Sequence, residues 1–326
     1  MRGMILAAGL GTRLRPLSLE LPKPVIPVLG RPLCTYNIEF LRRAGVREFL
    51  LNLHTKPKLI QQRVTAWAGR RIPVRYTLEP LILGTGGGIR NAAEFLREGT
   101  FLVMNGDTVL RFSLSSALAF HRERGALATL VLLPDPRKRY TPVWTDGEGR
   151  ITGFGAEAGD GIRSGFYTGC QIAEPEILSR IPAAGASCII RETYTPLVKQ
   201  RAPVYGFHAT GTFLEFGTPA DYLQGTLDLL REGPGRKPDR PVAPGTAELV
   251  PPVFVAPGVR IGPGARIGPD AVLEEGASVG EGAAVSRAIL WPRATVAPGE
   301  TLHGAVVTSR TRLSLPEPVS TPPGGR

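Results

Sequence analysis

The sequence predicts an α/β protein with a mostly parallel mixed sheet, followed by a short parallel β-helix. Between positions 1 and 232, short apolar runs typical of buried strands alternate with segments whose apolar residues recur at helical spacing. Beyond position 252 an aliphatic residue recurs at every sixth position, a period typical of strands stacked in a coil. We therefore expect a large domain over 1–232, a Pro- and Gly-rich linker over 233–252 and a small domain over 253–308.

Composition and length indicate which class of protein the chain belongs to. The chain has 326 residues, 42% of them hydrophobic, and no apolar stretch long enough for a transmembrane helix, so we expect a soluble protein with no membrane partner. The three cysteines fit neither a disulfide framework nor a zinc site, which favours a cytoplasmic location. The net charge of +11 comes from scattered arginines. Without a basic run interleaved with aromatic residues, a polyanionic substrate is favoured over nucleic acid.

The alternation in the large domain can be followed element by element. The predicted strands lie near 5–8, 46–53, 74–78, 100–105 and 128–133, and the predicted helices near 33–45, 57–67, 89–96, 115–124 and 219–230. Residues 143–154 break the alternation, because Asp146-Gly147 is typical of a hairpin turn. Ligands of open α/β sheets lie beyond the carboxyl ends of the strands. Gly9 follows the first strand at such a place.

The turn after the first strand combines glycines with a cation. Glycines such as Gly9 let the backbone approach a ligand, and consecutive N–H groups form an anion-binding concavity. Arg13 adds a planar fork suited to phosphate, and Lys23 lies between two prolines of fixed φ. No Lys-Ser or Lys-Thr follows the glycines, and position 14 is leucine, which excludes the P-loop and dinucleotide patterns. We interpret the segment as a nucleoside triphosphate site; a tight turn with a solvated arginine is the alternative.

Two further segments suit the same chemistry. Four glycines between positions 84 and 88 follow a predicted strand, and they would let a flat purine or pyrimidine ring lie against the backbone. A flexible loop before the helix at 89–96 is the alternative. Asp107 directly follows the apolar strand at 100–105, where a carboxylate can hold a divalent cation against phosphates. An Asx turn would explain the same residue.

Four motifs together resemble the sugar-1-phosphate nucleotidyltransferase family. The stretch Gly9–Val28, GLGTRLRPLSLELPKPVIPV, resembles the family signature, and LGTGGGI from Leu83 resembles its base-binding loop. FLVMNGD, which ends at Asp107, resembles its metal-binding motif. The segment GTFLEFGTP resembles the family's G-x-W-x-D-x-G-T-P, with Phe213 for Trp and Glu215 for the second metal-binding Asp. The resemblance covers nearly the whole chain.

The resemblance implies a role for each matching residue. Nucleotide binding would involve Leu6, Ala8, Gly9, Gly11, Thr12, Arg13, Leu83, Gly84 and Thr85, and sugar-phosphate binding would involve Lys23, Gly169, Glu192 and Arg163. Arg163 is included because the segment 155–163 lacks the lysine with which many family members hold the sugar phosphate. Mg²⁺ would be held by Asp107 and Glu215, and catalysis would use Arg13, Lys23 and Asp107. A glutamate carries the same oxygens as an aspartate on a longer stem, so it can still ligate the ion.

The implied reaction condenses a nucleoside triphosphate with a sugar 1-phosphate to give a nucleotide-sugar and pyrophosphate. The glycine segment resembles guanylyltransferases acting on mannose or heptose phosphates, so GTP with mannose 1-phosphate or a related sugar is the leading prediction. Uridylyl or other nucleotidyl transfer to an amino sugar or heptose phosphate is the alternative, and so is a non-catalytic regulatory homologue. An acyltransferase is disfavoured, because such enzymes usually need a long coil and a catalytic histidine. The predicted coil is short, and His303 is its one histidine.

The repeat after the linker is regular. Hexads start at Val259, Ala265, Ala271, Ala277 and Ala283, and their register resembles left-handed hexapeptide coils. Such a coil is a candidate surface for a homo-oligomer. The last residues, 309–326, are rich in Pro and Gly and are expected to form a disordered tail.

Overall fold

The computed structural model describes residues 1–157, 159–233 and 247–316 of the chain. The chain divides into two compact units. The first contains Met1–Leu10, Pro22–Val25 and Pro32–Leu214, and the second contains Gly11–Leu21, Ile26–Arg31 and Glu215–Arg326. The N-terminal part of the chain, up to Arg31, therefore contributes to both units.

The strands are labelled here in chain order. Up to position 232 they are β1 Arg2–Leu6, β2 Pro27–Val28, β3 Arg31–Pro32, β4 Glu48–Leu53, β5 Val74–Leu78, β6 Phe101–Asn105, β7 Thr108–Arg111, β8 Ala128–Leu133, β9 Pro142–Thr145, β10 Ile151–Phe154, β11 Arg163–Ala173, β12 Val204–His208 and β13 Thr212–Glu215. They continue as β14 Ala247–Leu249, β15 Val253–Val255, β16 Arg260–Ile261, β17 Ala265–Ile267, β18 Ala271–Leu273, β19 Ser278–Val279, β20 Ala284–Leu290, β21 Thr295–Val296, β22 Thr301–Val307 and β23 Arg312–Ser314.

The α-helices are α1 Leu17–Glu20, α2 Thr35–Arg43, α3 Pro57–Ala68, α4 Gly84–Asn91, α5 Ala93–Leu96, α6 Leu114–Glu123, α7 Thr195–Lys199 and α8 Pro219–Glu232. Short 3-10 turns occur at Thr12–Leu14, Lys23–Val25 and Pro175–Arg180, and a π-helical turn occurs at Ile189–Tyr194. Within the described ranges, every helix is too short or too polar to cross a membrane.

The first unit is built on one mixed sheet. Among the described residues its strand order is β10-β9-β11-β6-β1-β4-β5, with β8 beside β11 and β12 beside β8. β1 runs parallel to β4 and β6, whereas β11 runs antiparallel to β6, β8 and β9. With β10 antiparallel to β9, seven of these nine strands share one direction. The predicted α/β class with a mostly parallel mixed sheet is confirmed.

β1 lies at the centre of this sheet and is buried on both faces. Successive side chains of a strand point to opposite faces. Ile5 therefore packs with Leu51 in one apolar cluster, and Met4 packs with Leu50 in the other. A continuous apolar run is typical of a parallel strand covered by helices on both sides. The residues after Leu6 consequently emerge at the carboxyl edge of a rigid sheet.

The glycine-rich segment is a helix rather than the expected loop. α4 begins at Gly84 and continues through the predicted helix start at Ile89. Glycine in a helix costs about 1 kcal/mol relative to alanine, but here larger residues would collide with neighbours. A Cβ on Gly84 would lie 2.6 Å from the Ser187 carbonyl oxygen, and one on Gly88 would lie 2.8 Å from the Asn52 Nδ2 atom. Close packing of this helix therefore explains the glycines.

The C-terminal strands pair in parallel with strands about three hexads further along the chain. Val253 pairs with Ala271 and Arg260 pairs with Ser278, each at an offset of three full hexads, whereas Ala271 pairs with Ala288, one position short of that offset. Three hexads thus make one turn. The alanines at positions 265, 271, 277 and 283 are fully buried, so small residues fill the interior at every sixth position. This pairing is compatible with a parallel β-helix.

Strands flank this coil on both sides of its predicted boundaries. β14 lies inside the predicted linker and pairs in parallel with β17. β23 lies inside the predicted disordered tail and pairs antiparallel with β22, with Leu313 opposite Val306. The expectation of a disordered tail is therefore wrong for residues 312–314, because β23 pairs with β22 and places the apolar Leu313 opposite Val306. Residues 234–246 of the linker and 317–326 of the tail lie outside the described residues.

Glu274, at the end of β18, is a buried carboxyl group. It is 2% exposed, and both of its oxygens lie 3.1 Å from the backbone N–H of Gly30, which donates to them. Burial raises the pKa of Glu274 to about 7, although the hydrogen bond from Gly30 acts in the opposite direction and lowers it.

This pKa predicts how stability depends on pH. Between pH 4.5 and 7 the folded chain binds a proton at Glu274 that the unfolded chain has released. Rising pH through this window should therefore lower the free energy of unfolding, by about 3 kcal/mol from this group. Urea unfolding of wild type and Glu274→Gln at both ends of the window measures the effect. We expect the variant to gain stability relative to wild type as pH rises; parallel curves would contradict the assignment.

Candidate functional site

Lys23 and Asp107 form an ion pair in the first unit. The Lys23 Nζ atom lies 2.7 Å from Asp107 Oδ2. Lys23 is 7% exposed, lies between two prolines and begins a short 3-10 turn. The side chain of Asp107 is 38% exposed. A buried ammonium needs a partner, because its desolvation is costly. The fold thus brings together two of the three residues expected to be catalytic.

Asn37, a residue that the sequence analysis did not single out, holds the turn that carries Asp107. It is fully buried in α2, and its Nδ2 atom donates to the carbonyl oxygens of Asn105 at 2.6 Å and Thr108 at 2.7 Å. These bonds fix the backbone on both sides of Asp107. The available signal was an amide side chain next to the apolar Ile38 in an amphipathic helix.

Two predicted ligand-binding residues flank the same turn. The backbone N–H of Gly106 donates to the carbonyl oxygen of Leu6 at 2.9 Å. Gly169 has a φ of +81°, and a Cβ there would lie 2.3 Å from Asn105 Nδ2. A side chain at 169 would therefore displace Asn105, and only glycine is compatible with this arrangement.

A buried polar network joins β1 to the start of α4. The Asn52 Oδ1 atom accepts a hydrogen bond from the Ala7 N–H at 2.8 Å, and its Nδ2 atom donates to Glu79 Oε1 at 2.6 Å. The other oxygen of Glu79 accepts from the Leu83 N–H at 3.0 Å. Both predicted nucleotide-binding segments are thereby anchored to one carboxylate. Asn52 and Glu79 carry no local signal in the sequence, because their contact depends on the register of strands far apart in the chain.

A cavity of about 640 Å³ opens in the first unit. Its lining is mostly apolar or neutral and includes Tyr140, Thr141, Val143, Thr152, Gly153, Phe154, Gly155, Glu157, Tyr167, Cys188, Ile190, Arg191, Thr195, Val198 and Lys199. Burial raises the pKa of Tyr167 well above its ordinary value, so its hydroxyl stays protonated and donates to Gln171. A volume in this range is typical of small-molecule sites.

None of the predicted sugar-phosphate residues, Lys23, Gly169, Glu192 and Arg163, is part of the described lining of this cavity. Glu192 accepts a hydrogen bond from the N–H of Cys188 and pairs with Arg191 at 3.4 Å, and both partners line the cavity. Arg163 begins β11 and is not part of the described lining, where Arg191 and Lys199 are the cations. These two cations are not predictable from the sequence, because no motif marks them. The role expected of Arg163 stays a prediction.

Thr85 has a structural partner in the same unit. Its hydroxyl oxygen accepts a hydrogen bond from the Ile189 N–H at 2.9 Å. The N–H of Gly86 donates to the carbonyl oxygen of Ser187 at 2.8 Å. The start of α4 is thus fastened to the segment that leads into the π-helical turn and the cavity wall.

Arg13 and Glu215 form an ion pair in the second unit. Gly11 adopts a left-handed conformation with a φ of +63° and precedes the short 3-10 turn over 12–14. The Arg13 Nη2 atom lies 3.4 Å from Glu215 Oε1, and the arginine side chain is 69% exposed. An exposed pair of this kind contributes little to stability, so both groups can exchange their contact for a substrate.

The carboxylates of Asp107 and Glu215 suit Mg²⁺, which keeps water and substrate oxygens as ligands, better than a metal ion whose ligands are all protein side chains. In the described part of the chain, no group of three or more His, Cys, Asp and Glu residues could hold a metal ion. Mg²⁺ usually takes one or two carboxylates and completes its shell with water and substrate phosphates. Asp107 in the first unit and Glu215 in the second are carboxylates of this kind, and each contacts a cation. The chemistry of each residue fits Mg²⁺.

Comparison with protein families gives the broader context of these groups. A family model described as "Nucleotidyl transferase" matches residues 2–232. The chain belongs to this family. In the first unit, Gly9 and Asp107 follow β1 and β6, which are neighbouring strands of the Nucleotidyl transferase sheet.

The names of individual proteins similar to this chain agree with the Nucleotidyl transferase family. A "Mannose-1-phosphate guanylyltransferase" of Mycobacterium tuberculosis is 34% identical over 231 residues, covering 70% of this chain and 64% of the relative. A "UTP--glucose-1-phosphate uridylyltransferase" of Synechocystis is 30% identical over 246 residues, covering 71% and 63%. The crystal structure of HddC from Yersinia pseudotuberculosis complexed with GMP-PN superposes with a TM-score of 0.60 at 25% identity, covering 70% of this chain and 99% of that chain. The chain spans less than two thirds of the length of the first two relatives.

Proposed function

We propose that this protein is an enzyme that transfers a nucleotidyl group from a nucleoside triphosphate to a sugar 1-phosphate. The observation that carries the proposal is the contact of the buried Lys23 with Asp107, 2.7 Å apart, in a chain of the Nucleotidyl transferase family. GTP with mannose 1-phosphate or a related sugar is the leading pair of substrates, supported by the names of the Mycobacterium relative and of the HddC complex. The name of the Synechocystis relative supports uridylyl transfer as the second candidate, and an amino sugar or heptose phosphate stays the predicted acceptor for it.

The reaction needs no side-chain nucleophile. An anionic oxygen of the sugar 1-phosphate attacks the α-phosphorus of the triphosphate, the bond from that phosphorus to the bridging oxygen breaks, and pyrophosphate leaves. Catalysis is positioning and charge stabilisation. Lys23 would hold the α-phosphate and the incoming sugar phosphate, and Arg13 would stabilise the leaving pyrophosphate. The backbone near Leu6, Ala8, Gly9, Gly11, Thr12, Leu83, Gly84 and Thr85 would hold the nucleotide.

Asp107 and Glu215 would hold Mg²⁺. When bound, the ion neutralises phosphate charge and orients the oxygens. Lys23 orients the Asp107 carboxylate through their short contact, and Asn37 fixes the backbone of its turn.

The sugar would enter the cavity, whose lining residues Cys188 and Arg191 contact Glu192, and Gly169 is kept as a proposed sugar contact. Arg191 and Lys199, the cations of the described lining, are candidates for holding anionic sugar substituents there. Arg163 is kept as a proposed ligand of the sugar phosphate, because the segment before it lacks a lysine.

A screen for pyrophosphate release tests the function. The common nucleoside triphosphates, including dTTP, are combined with a panel of sugar 1-phosphates in the presence of Mg²⁺. We expect the highest rate with GTP and mannose 1-phosphate or a close relative. A clear preference for UTP with an amino sugar phosphate would establish the second candidate, whereas no release across the panel would favour a regulatory homologue.

Binding in the cavity can be followed through Cys188. This cysteine is partly exposed and lines the cavity, whereas Cys34 and Cys170 are buried. Burial also raises the pKa of Cys170, which makes its thiol less reactive. Alkylation of the native protein should therefore fall on Cys188, and the preferred sugar 1-phosphate should slow it at least about fivefold if it occupies the site most of the time. Cys188→Ser is the control for background labelling. Equal rates with and without the sugar phosphate would exclude the cavity as its site.

The proposal also covers the C-terminal coil, the oligomeric state and the location of the protein in the cell. We propose a left-handed coil in the C-terminal region, a homo-oligomer formed through it and a cytoplasmic location. The parallel pairing at offsets of one turn supports a coil, and three cysteines that form no disulfide bond support the location. Light scattering on the full chain measures the oligomer.

A further inference from the structure

The C-terminal coil bonds to the chain on both sides of Lys23. The hydroxyl of Thr308 in the coil donates to Glu20 Oε1 at 2.7 Å. The carboxylate of Glu274 accepts from the N–H of Gly30, with both distances at 3.1 Å. Glu20 lies shortly before Lys23 in the chain, and Gly30 lies shortly after it. All four contact residues belong to the second unit.

Tyr222 in α8 makes a third contact with the part of the chain that flanks Lys23. The hydroxyl of Tyr222 donates to the carbonyl oxygen of Pro27 at 2.5 Å and accepts from Trp291 Nε1 at 2.9 Å. The two rings meet edge to face, with centroids 6.2 Å apart. Tyr222 is fully buried and Trp291 is 3% exposed. A buried hydroxyl that both donates and accepts has one well-defined orientation, so Trp291 fixes Pro27 through Tyr222.

The segment between these contacts is short and stiff. Half of the positions from 22 to 27 are prolines, which fix φ and reduce the freedom of the backbone. Residues 22–25, including Lys23, belong to the first unit, whereas 11–21 and 26–31 belong to the second. A shift at Glu20 or Pro27 cannot be absorbed by flexible residues and must pass along the chain to Lys23.

We propose that the coil is a positioning element for Lys23, acting through Tyr222, Trp291, Glu274 and Thr308. The inference rests on the proposed function, because it takes Lys23 as a phosphate ligand. Coil contacts and nucleotide binding are then linked: the coil raises affinity for the triphosphate, and the triphosphate must stabilise the coil contacts by the same free energy. Tyr222 and Trp291 act through Lys23 and do not touch the substrate.

The first test uses the wild-type chain. Amide hydrogen exchange at Gly30 reports the bond to Glu274, because the amide must open before it exchanges. We expect saturating GTP with Mg²⁺ to slow exchange at Gly30 at least about fivefold. Calorimetry in the same buffer measures GTP binding. Binding without a change at Gly30 would overturn this inference alone, and failure of the wild type to bind any nucleoside triphosphate would overturn the proposed function with it.

The second test removes one oxygen atom. Tyr222→Phe keeps the ring and loses the bonds to Pro27 and Trp291, and we expect GTP to bind about tenfold more weakly, the loss of one buried hydrogen-bond link. Tyr76→Phe is the matched control, because it removes a hydroxyl contact with Thr65 in the first unit. Thr308→Val serves if Tyr222→Phe does not fold. Equal GTP affinity in wild type and in a folded variant of either site would contradict the positioning role.

Discussion

Asp107→Asn should lower kcat by about 10³-fold or more while the protein stays folded. The amide keeps the size of the carboxylate but loses the charge that would hold Mg²⁺ against the phosphates. It also leaves the buried Lys23 without its anionic partner at 2.7 Å. Steady-state pyrophosphate release gives kcat, and circular dichroism with thermal unfolding checks the fold.

The matched control replaces a carboxylate outside the site. Glu148→Gln removes the charge of a side chain that is 73% exposed and pairs with Arg124 on the surface. Its kcat should stay within about twofold of wild type, since surface ion pairs contribute little. Turnover of Asp107→Asn at the rate of this control would remove Asp107 from the mechanism.

Lys23→Met should lower kcat/KM by about 10²–10³-fold. Methionine preserves most of the apolar stem in a site that is 7% exposed, but it removes the cation expected to hold the phosphates. Asp107 loses its partner but is 38% exposed, so water can replace the contact and the fold should survive. Pyrophosphate release at varied GTP and sugar phosphate separates kcat from KM.

Lys23→Arg distinguishes a precise ammonium from a general positive charge. The guanidinium is larger and planar, and the buried site next to Asp107 has room for a point charge on a narrow stem. We therefore expect Lys23→Arg to remain at least about tenfold below wild type. Recovery of wild-type kcat/KM by arginine, or a Lys23→Met enzyme as fast as wild type, would contradict the role.

Much of the first unit was predictable because its strands are rich in β-branched, aromatic and aliphatic residues and have clear ends. The predicted strands at 74–78 and 128–133 coincide with β5 and β8. The hairpin around Asp146 was predictable too, since its carboxylate accepts from the N–H groups of Glu148 and Arg150 as turn residues do.

The misses share a physical cause. Propensity describes a residue in its local segment, but Gly84 is glycine because the distant Ser187 carbonyl approaches it. Asn52 and Glu79 matter because parallel register places Asn52 opposite Leu6. Arg191 and Lys199 reach the cavity wall through the packing of the π-helical turn and α7, which no local pattern specifies. Motif spacing predicts which residues bind phosphate, whereas long-range packing decides which neighbours support them.

The course of residues 11–31 through both units restricts how this chain can evolve. A gene fusion that exchanged the coil for another module would also remove the coil residues Thr308 and Glu274, which bond to Glu20 and Gly30. Transplanting only the part of the chain up to Glu232 would leave Tyr222 without Trp291. Exchange of the coil would therefore change the contacts that hold residues 20–30, whereas point changes in the cavity wall would leave those contacts in place.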